Sequence, residues 1–222
     1  KQQDHIQTAS NEKPVAVQLF GHNTADITQA GHMLQDRFDV IDINCGCPAY
    51  KVIKTGAGSA LLNNANKIAH LLETLTDAIN TPITLKIRTG IDRNHINAVE
   101  VAQAAESAGA SAIAVHGRTQ KQGYQGQADW NIIRKVKDAV SIPVIGNGDV
   151  MTPESFEQRM EEAGVDYIMI ARGAIGKPFI FAQINDYLKT GHYDQYDQLH
   201  CFEQYWKQAK AFNLPFSHIK RH

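Results

Sequence analysis

Six short apolar runs punctuate the chain: Val15–Phe20, Val40–Ile43, Ile83–Ile87, Ala112–Val115, Pro143–Ile145 and Tyr167–Ile170. Most are rich in β-branched and aliphatic residues, the composition of strands buried on both faces. The stretches between them change period. Ile27, Ala30, Met33 and Leu34 recur at helical spacing within Ala25–Arg37, and Ile68, Leu71, Leu72 and Leu75 do so within Ala65–Ala78. Asn97–Ser107, Trp130–Ala139 and Ser155–Glu162 read as further helices. Thr152-Pro153-Glu154 places a capping residue before a proline in the first turn of the last of these.

Each strand–helix unit is about 30 residues long, the size of a βαβ element. Regular alternation of strand and helix implies a parallel sheet. It leaves two architectures, an open doubly wound sheet and a closed barrel. Polar residues choose between them. Gln18, Asn44, Lys86, Arg88, His116, Arg118, Asn147, Asp149 and Arg172 all fall within or just after the C-terminal ends of strands. A barrel gathers its chemistry from several strand ends, whereas an open sheet concentrates it at one switch point. The expected fold is therefore α/β, a TIM (β/α)8-type barrel with about six of its eight units present. After Pro178 strand signals stop, and Asp186–Phe212 carries Tyr187, Tyr193, Tyr196, Phe202, Tyr205, Trp206 and Phe212 in a helical pattern. The expected organisation is a partial catalytic barrel over 1–183 and the start of a C-terminal helical domain over 184–222.

Composition narrows the setting. The 222 residues are 43% hydrophobic with a net charge of −1, so bulk charge does not advertise nucleic-acid binding, and any such contact must come from locally clustered Lys and Arg. No apolar run reaches bilayer-spanning length. Cys45, Cys47 and Cys201 are too few and too unevenly spaced for a disulfide framework, and no signal peptide opens the chain, so a reducing cytoplasm is expected. The chain opens at Lys1 with a polar stretch, Gln2–Lys13, and stops just after Ser217 at His222. Both ends read as cut from something longer, with two barrel strands expected upstream.

Four features carry chemistry. The run from Asp42 to Leu62 ends a strand at Asn44, and Pro48 prevents its continuation, which presents Cys47 on the rim. Cys47 is then either a rim thiol or a small buried one. The C-x-C spacing lacks a second pair, so no metal is expected. Gly56-Ala-Gly58 is not a dinucleotide fingerprint, because Leu61 stands where the third glycine belongs; these glycines instead admit a close ligand or backbone. Lys86 interrupts the strand residues Ile83, Leu85 and Ile87, which is unfavourable unless it meets an anion, a cavity or a carboxylate such as Asp42 or Asp149. Gly146-Asn-Gly-Asp149 and Ala171-Arg-Gly173 follow two consecutive late strands, where barrels hold phosphates on backbone N–H groups, with Arg172 able to add a bidentate contact. The residues thus describe a barrel for a phosphorylated cofactor beside a rim cysteine.

Several blocks together resemble the tRNA-dihydrouridine synthase family. They are Val17–Gly21, Asn44–Pro48 with Lys51-Val52 and Gly56–Leu62, Leu85–Gly90, His116–Thr119, Gly146–Asp149 and Ile170–Gly173, with His218–His222 resembling the entry to the family's last helical motif. The resemblance implies an FMN-containing barrel followed by a helical tRNA-binding domain. It implies that Gln18 and Lys86 contact the flavin ring, that His116 lines its site, and that Asn147, Gly148, Asp149, Ala171 and Arg172 hold the phosphate. Cys47 would be the proton donor. The family's first-strand Pro-Met-Ala-type loop has no counterpart here.

The implied chemistry has two halves. NADPH, or NADH, reduces the flavin, and hydride then passes to uracil C6 while Cys47 protonates C5. A thiol, which holds its proton at neutral pH, suits that task, and Lys86 would stabilise negative charge on the reduced ring. A base in folded tRNA must first leave its stack; Asn44 would then meet the uracil. Lys51, Lys54, Arg88, Arg118 and Lys121 on rim loops are expected to take phosphates. The expected partners are tRNA and NAD(P)H, the expected state at full length a monomer. Two other readings fit parts of the pattern: an FMN barrel acting on a free pyrimidine, similar to dihydroorotate dehydrogenases, and a non-catalytic RNA-binding barrel.

Overall fold

The structure, a computed structural model, describes residues 6, 8–9 and 12–215. The expected motif at His218–His222 lies outside the described residues. The chain forms two compact units: Lys1–Gly148 with Met160–Met169, and Asp149–Arg159 with Ile170–His222.

The larger unit is built on six parallel strands: β1 (Ala16–Leu19), β2 (Val40–Cys45), β3 (Ile83–Arg88), β6 (Ala112–His116), β7 (Val144–Asn147) and β8 (Tyr167–Met169). A two-stranded hairpin, β4 (Gly90–Asp92) and β5 (His95–Ile96), follows β3 and stands apart from the sheet. The order in space is β1-β2-β3-β6-β7-β8, the order of the sequence. Such an unreversed order winds the chain one way, as in a barrel; a doubly wound sheet turns back on itself at a switch point. The strands are six of the barrel's eight positions, and the sequence expectation of a barrel holds.

Helices α1 (Thr24–Leu34), α3 (Ala65–Ala78), α4 (Ala98–Ser107) and α5 (Trp130–Ala139) cover one face of the sheet. Side chains alternate along a strand, so each strand offers these helices every second residue. Val17, Ile41, Ile43, Cys45, Leu85, Ile87, Ile113, Val115 and Val144 point that way and are buried. Ile27 and Leu34 of α1, Ile68, Leu71, Leu72 and Leu75 of α3, Val101 of α4, and Trp130, Ile133 and Val136 of α5 meet them. Asn23, Asn64 and Asp129 cap α1, α3 and α5 by accepting from first-turn backbone N–H groups.

The second face differs from the sequence expectation of strands buried on both sides. Ala16, Gln18, Tyr167 and Met169 are exposed there, and Asp42, Asn44, Thr84, Lys86 and Ile145 are half-buried. The physical reason is composition: this face carries polar side chains on successive rungs, and among the described residues no helix of the larger unit covers it.

In the smaller unit, Thr152 and Ser155 exchange backbone and hydroxyl hydrogen bonds across the first turn of α6 (Pro153–Ala163), a capping box with proline at the first helical position. Helices α7 (Ile180–Thr190) and α8 (Gln198–Ala211) complete it. The expected boundary between 183 and 184 falls inside α7, whose Gln183 and Ile184 are both buried. Phe179 stacks on Tyr196 at 4.6 Å between centroids, and Tyr193 donates to Glu154 Oε1 at 2.9 Å. On α8, Phe202 stacks on Trp206 and the Lys210 ammonium lies 4.8 Å from the Trp206 ring centre. Among the described residues no helix is long and apolar enough to cross a membrane.

Candidate active site

Register brings the polar residues of the larger unit together. Gln18, Asp42 and Thr84 pair across β1, β2 and β3 on one rung; Asn44 pairs with Lys86 on the next; Arg88, His116 and Asn147 share the third. Five strands thus place eight polar residues on a single face, rising toward the strands' C-terminal ends.

Cys47 follows β2 by two residues and is held on both sides. Its N–H donates to Asn44 Oδ1 at 2.9 Å, and its carbonyl accepts from the Ser59 N–H at 3.0 Å and the Ser59 hydroxyl at 2.9 Å. The Gly46 N–H also donates to Asn44 Oδ1, at 3.1 Å. Gly58, at φ +60°, permits this closure, because a Cβ there would lie 2.8 Å from the Cys47 carbonyl oxygen. A short helix, α2 (Tyr50–Ile53), continues the loop, with Tyr50, Lys51 and Lys54 exposed. Cys47 is half-buried, whereas Cys45 faces the helices, fully buried, and burial drives its thiol pKa far above the ordinary value.

Lys86 has no hydrogen-bond or ion-pair partner among the described residues. Within the larger unit the expected alternative, a salt bridge to Asp42, does not form: Asp42 accepts instead from Thr84 Oγ1 and Gln18 Nε2, each at 2.7 Å. Desolvation, with the Arg88 cation adding to it, pushes Lys86 down to about 8, against the opposing pull of Asp42. Burial also raises the Asp42 carboxyl, while Gln18, Thr84 and Lys86 work in the other direction.

Arg88 and Arg118 do not stand with the rim lysines as expected. Both are buried, at 3% and 2% exposure. Arg88 donates to the carbonyls of Gly46 at 3.0 Å, Thr119 at 2.8 Å and Gly123 at 2.7 Å, and Arg118 donates to those of Gln125 and Gly126. They brace the rim loops from within, because a long loop after β6 folds back and offers its carbonyls to them. Lys121 is exposed but bound to Asp92 at 2.7 Å. Of the five cations expected on the rim loops, Lys51 and Lys54 are exposed and outside these bonds.

His116 and Asn147 are buried side by side, and Asn147 Nδ2 donates to the Met169 carbonyl at 2.8 Å. Part of the glycine pattern here answers to packing. Gly146 leaves room for the ring of Trp130, whose Nε1 donates to the Gly148 carbonyl at 3.1 Å. In the smaller unit Arg172 and Asp149 pair at 3.0 Å, Ala171 is exposed, and Gly173 packs against the Val150 carbonyl.

These features have a family. The sequence matches the family described as Dihydrouridine synthase (Dus) over residues 1–220. The chain belongs to the dihydrouridine synthase family. It is 45% identical over 183 residues to the tRNA-dihydrouridine synthase B of Pseudomonas aeruginosa, covering 82% of this chain and 55% of that protein. It is 43% identical over 187 residues to that of Shewanella oneidensis, covering 83% and 58%. The chain thus spans about half the length of the curated relatives it matches. Among solved structures, a 6-hydroxypseudooxynicotine amine oxidase from Pseudomonas geniculata shares the fold, with a TM-score of 0.56 at 17% identity over 75% of this chain and 29% of that one.

Within this dihydrouridine synthase chain, sequence reading missed Ser59, Thr84 and Tyr124. Ser59 was hidden in a run of small residues, although its place directly after Gly58 marked a close approach. Tyr124 is exposed, with the Arg88 guanidinium 5.8 Å from its ring centre. It sits in a loop with no periodic signal.

Proposed function

We propose that this chain carries the catalytic part of an enzyme that reduces a uridine of tRNA to 5,6-dihydrouridine, with FMN as cofactor and NADPH, or NADH, as reductant. The observation that carries the reading is the rigidly held Cys47 at the end of a polar sheet face, in a chain of the dihydrouridine synthase family.

The residues suit a flavin. Lys86 is a cation without an anion on a half-buried face, and its ammonium is destabilised until one arrives. Gln18 keeps one amide hydrogen after its bond to Asp42, and His116 and Asn147 border the same face. Gln18, Lys86 and His116 would meet the ring; Asn147 and Gly148, and in the smaller unit Asp149, Ala171 and Arg172, are the residues that family likeness assigns to the phosphate. When bound, the flavin supplies hydride for C6 of the uracil.

The chain's own residues supply the rest. Cys47 donates its thiol proton to C5, leaving a thiolate that regains a proton from solvent. Because its backbone is fixed at both N–H and carbonyl, the thiol needs little reorganisation to reach the base. Asn44 retains one amide hydrogen for a uracil carbonyl. Lys51 and Lys54 are placed to take phosphates, and exposed Tyr50 beside them offers a ring for stacking. The α7–α8 segment, with its Phe202–Trp206–Lys210 stack, is read as the start of a tRNA-binding region.

The test is incubation of the protein with FMN, NADPH and an unmodified tRNA transcript, followed by mass spectrometry of the nucleosides. Dihydrouridine in the tRNA, with free uridine untouched, is expected. Equal reduction of free uridine would favour a free-pyrimidine enzyme, and flavin bound without turnover on any pyrimidine would retire the reading.

A further inference from the structure

We propose that Asp42 is the positioning residue for the Cys47 loop, acting through a relay of two amide side chains. The inference rests on the reading of Cys47 as the proton donor but not on any property of the flavin.

The argument is one of hydrogen-bond polarity. An ionised carboxylate only accepts. Asp42 Oδ1 takes the Thr84 hydroxyl and Oδ2 takes Gln18 Nε2, both at 2.7 Å. That second bond turns the Gln18 amide so that its Oε1 faces Asn44, where it accepts from Nδ2 at 2.7 Å. Asn44 is turned in consequence, so that its Oδ1 faces the loop and accepts from both Gly46 N–H and Cys47 N–H. Each amide in the series has one end that donates and one that accepts, so the direction set at Asp42 runs through to the loop. Reversing Asn44 would point an NH2 group at two N–H donors and leave both loop amides without an acceptor. Gln18 cannot set the direction itself, since a glutamine amide flips at little cost when nothing at its far end discriminates oxygen from nitrogen.

The relay also accounts for a carboxylate in the middle of β2. Asp42 stands among Val40, Ile41 and Ile43, is half-buried, and makes no ion pair with Lys86; its carboxylate holds Thr84 and the relay. Asn44 sits next to Lys86 in register and Gln18 next to Asp42, so the relay lies along the proposed site face and ends at the thiol-bearing loop.

Asp42→Leu removes the acceptor that orients Gln18. Asp42→Asn keeps one, because its oxygen can face Gln18 while its NH2 donates to the Thr84 hydroxyl. Gln18→Leu cuts the relay while sparing Asp42, and Thr84→Val removes a bond to Asp42 that lies outside the relay. The measurement is amide hydrogen exchange at Gly46 and Cys47 in the whole protein, with the rate of Cys47 alkylation by iodoacetamide read alongside. Asp42→Leu and Gln18→Leu are expected to speed exchange at these two amides by about tenfold or more, the scale of one lost hydrogen bond. Ile41 and Ile43 should stay protected. Asp42→Asn and Thr84→Val are expected to stay within about twofold of the parent, well under the value of one bond. Unchanged exchange in Asp42→Leu and Gln18→Leu, or equal acceleration in Asp42→Asn and Asp42→Leu, would overturn the relay. Should Asp42→Leu fail to fold, the Gln18→Leu and Asp42→Asn pair gives the same decision. Neither readout needs substrate, so the relay stands or falls apart from the function. Faster exchange in Asp42→Leu with undiminished dihydrouridine formation would uphold the relay and remove Cys47 as the acid.

Discussion

The two faces of the six-stranded sheet are made by the same strands and differ by one residue in register. The face toward α1, α3, α4 and α5 is mostly aliphatic and mostly buried, and burial alone explains it. The opposite face carries Gln18, Asp42, Asn44, Thr84, Lys86, His116 and Asn147, none of which a core requires. Folding would be served better by leucine or valine at several of these positions, so the polar face records a second requirement. Lys86 states it most sharply: its ammonium is desolvated, unpaired among the described residues and pushed down to about 8. A protein retains such a group where an anion is to be met.

The contrast is tested hardest by neighbours on β3. Leu85→Ala, on the helix-covered face, should lose about 2–5 kcal/mol in urea unfolding. Lys86→Met, one residue along, should lose nothing or gain, because it deletes an unpaired cation. Equal losses would dissolve the distinction between the faces.

Glycines sharpen it at the rim. Gly58 and Gly164 have nearly the same φ, +60° and +61°, but a Cβ at Gly58 meets the Cys47 carbonyl and Val52, while one at Gly164 meets nothing within 4 Å. Gly58→Ala should cost about 1–3 kcal/mol and Gly164→Ala about 1 kcal/mol, which is backbone strain alone. The same urea experiment measures both, and similar values would show that the Cys47 loop is not tightly closed.

Lys86 also carries a pH dependence. Folded Lys86 releases its proton near pH 8, whereas an unfolded lysine holds it to about 10.4. Between those values the unfolded chain binds more protons, so this group makes stability rise with pH. Subtracting the unfolding free energies of Lys86→Met from those of the parent across that window should reveal the rise. A flat difference would mean that Lys86 is not desolvated.

The apolar face was the legible one. Its aliphatic residues made up most of the apolar runs that predicted all six strands, and α3 and α5 run over the very residues read as helical, Ala65–Ala78 and Trp130–Ala139. Polar residues at strand ends pointed to a barrel, and the unreversed strand order bears that out. Local pattern failed where chain segments distant in sequence meet. Arg88 and Arg118 read as rim cations, yet their guanidiniums are buried against carbonyls up to 42 residues away in sequence, a partnership no window of sequence displays. Gly146 read as a ligand loop, although Trp130 from the preceding helix occupies the space its missing Cβ leaves. The hairpin β4–β5 and the four-residue α2 were too short to carry a period.

Two cysteines two positions apart condense the whole account. Cys45 faces the helices and Cys47 stands in the loop above the polar face. The deciding measurement is single-turnover reduction of uridine in unmodified tRNA by Cys47→Ala and Cys45→Ala, with flavin content and unfolding free energy recorded for each. Cys47→Ala should keep its flavin and its stability and lose tRNA reduction by about a hundredfold or more, the scale of a removed general acid. Cys45→Ala should lose stability and keep its chemistry. Near-normal reduction by Cys47→Ala, or an equal loss of reduction in both variants, would contradict the assignment.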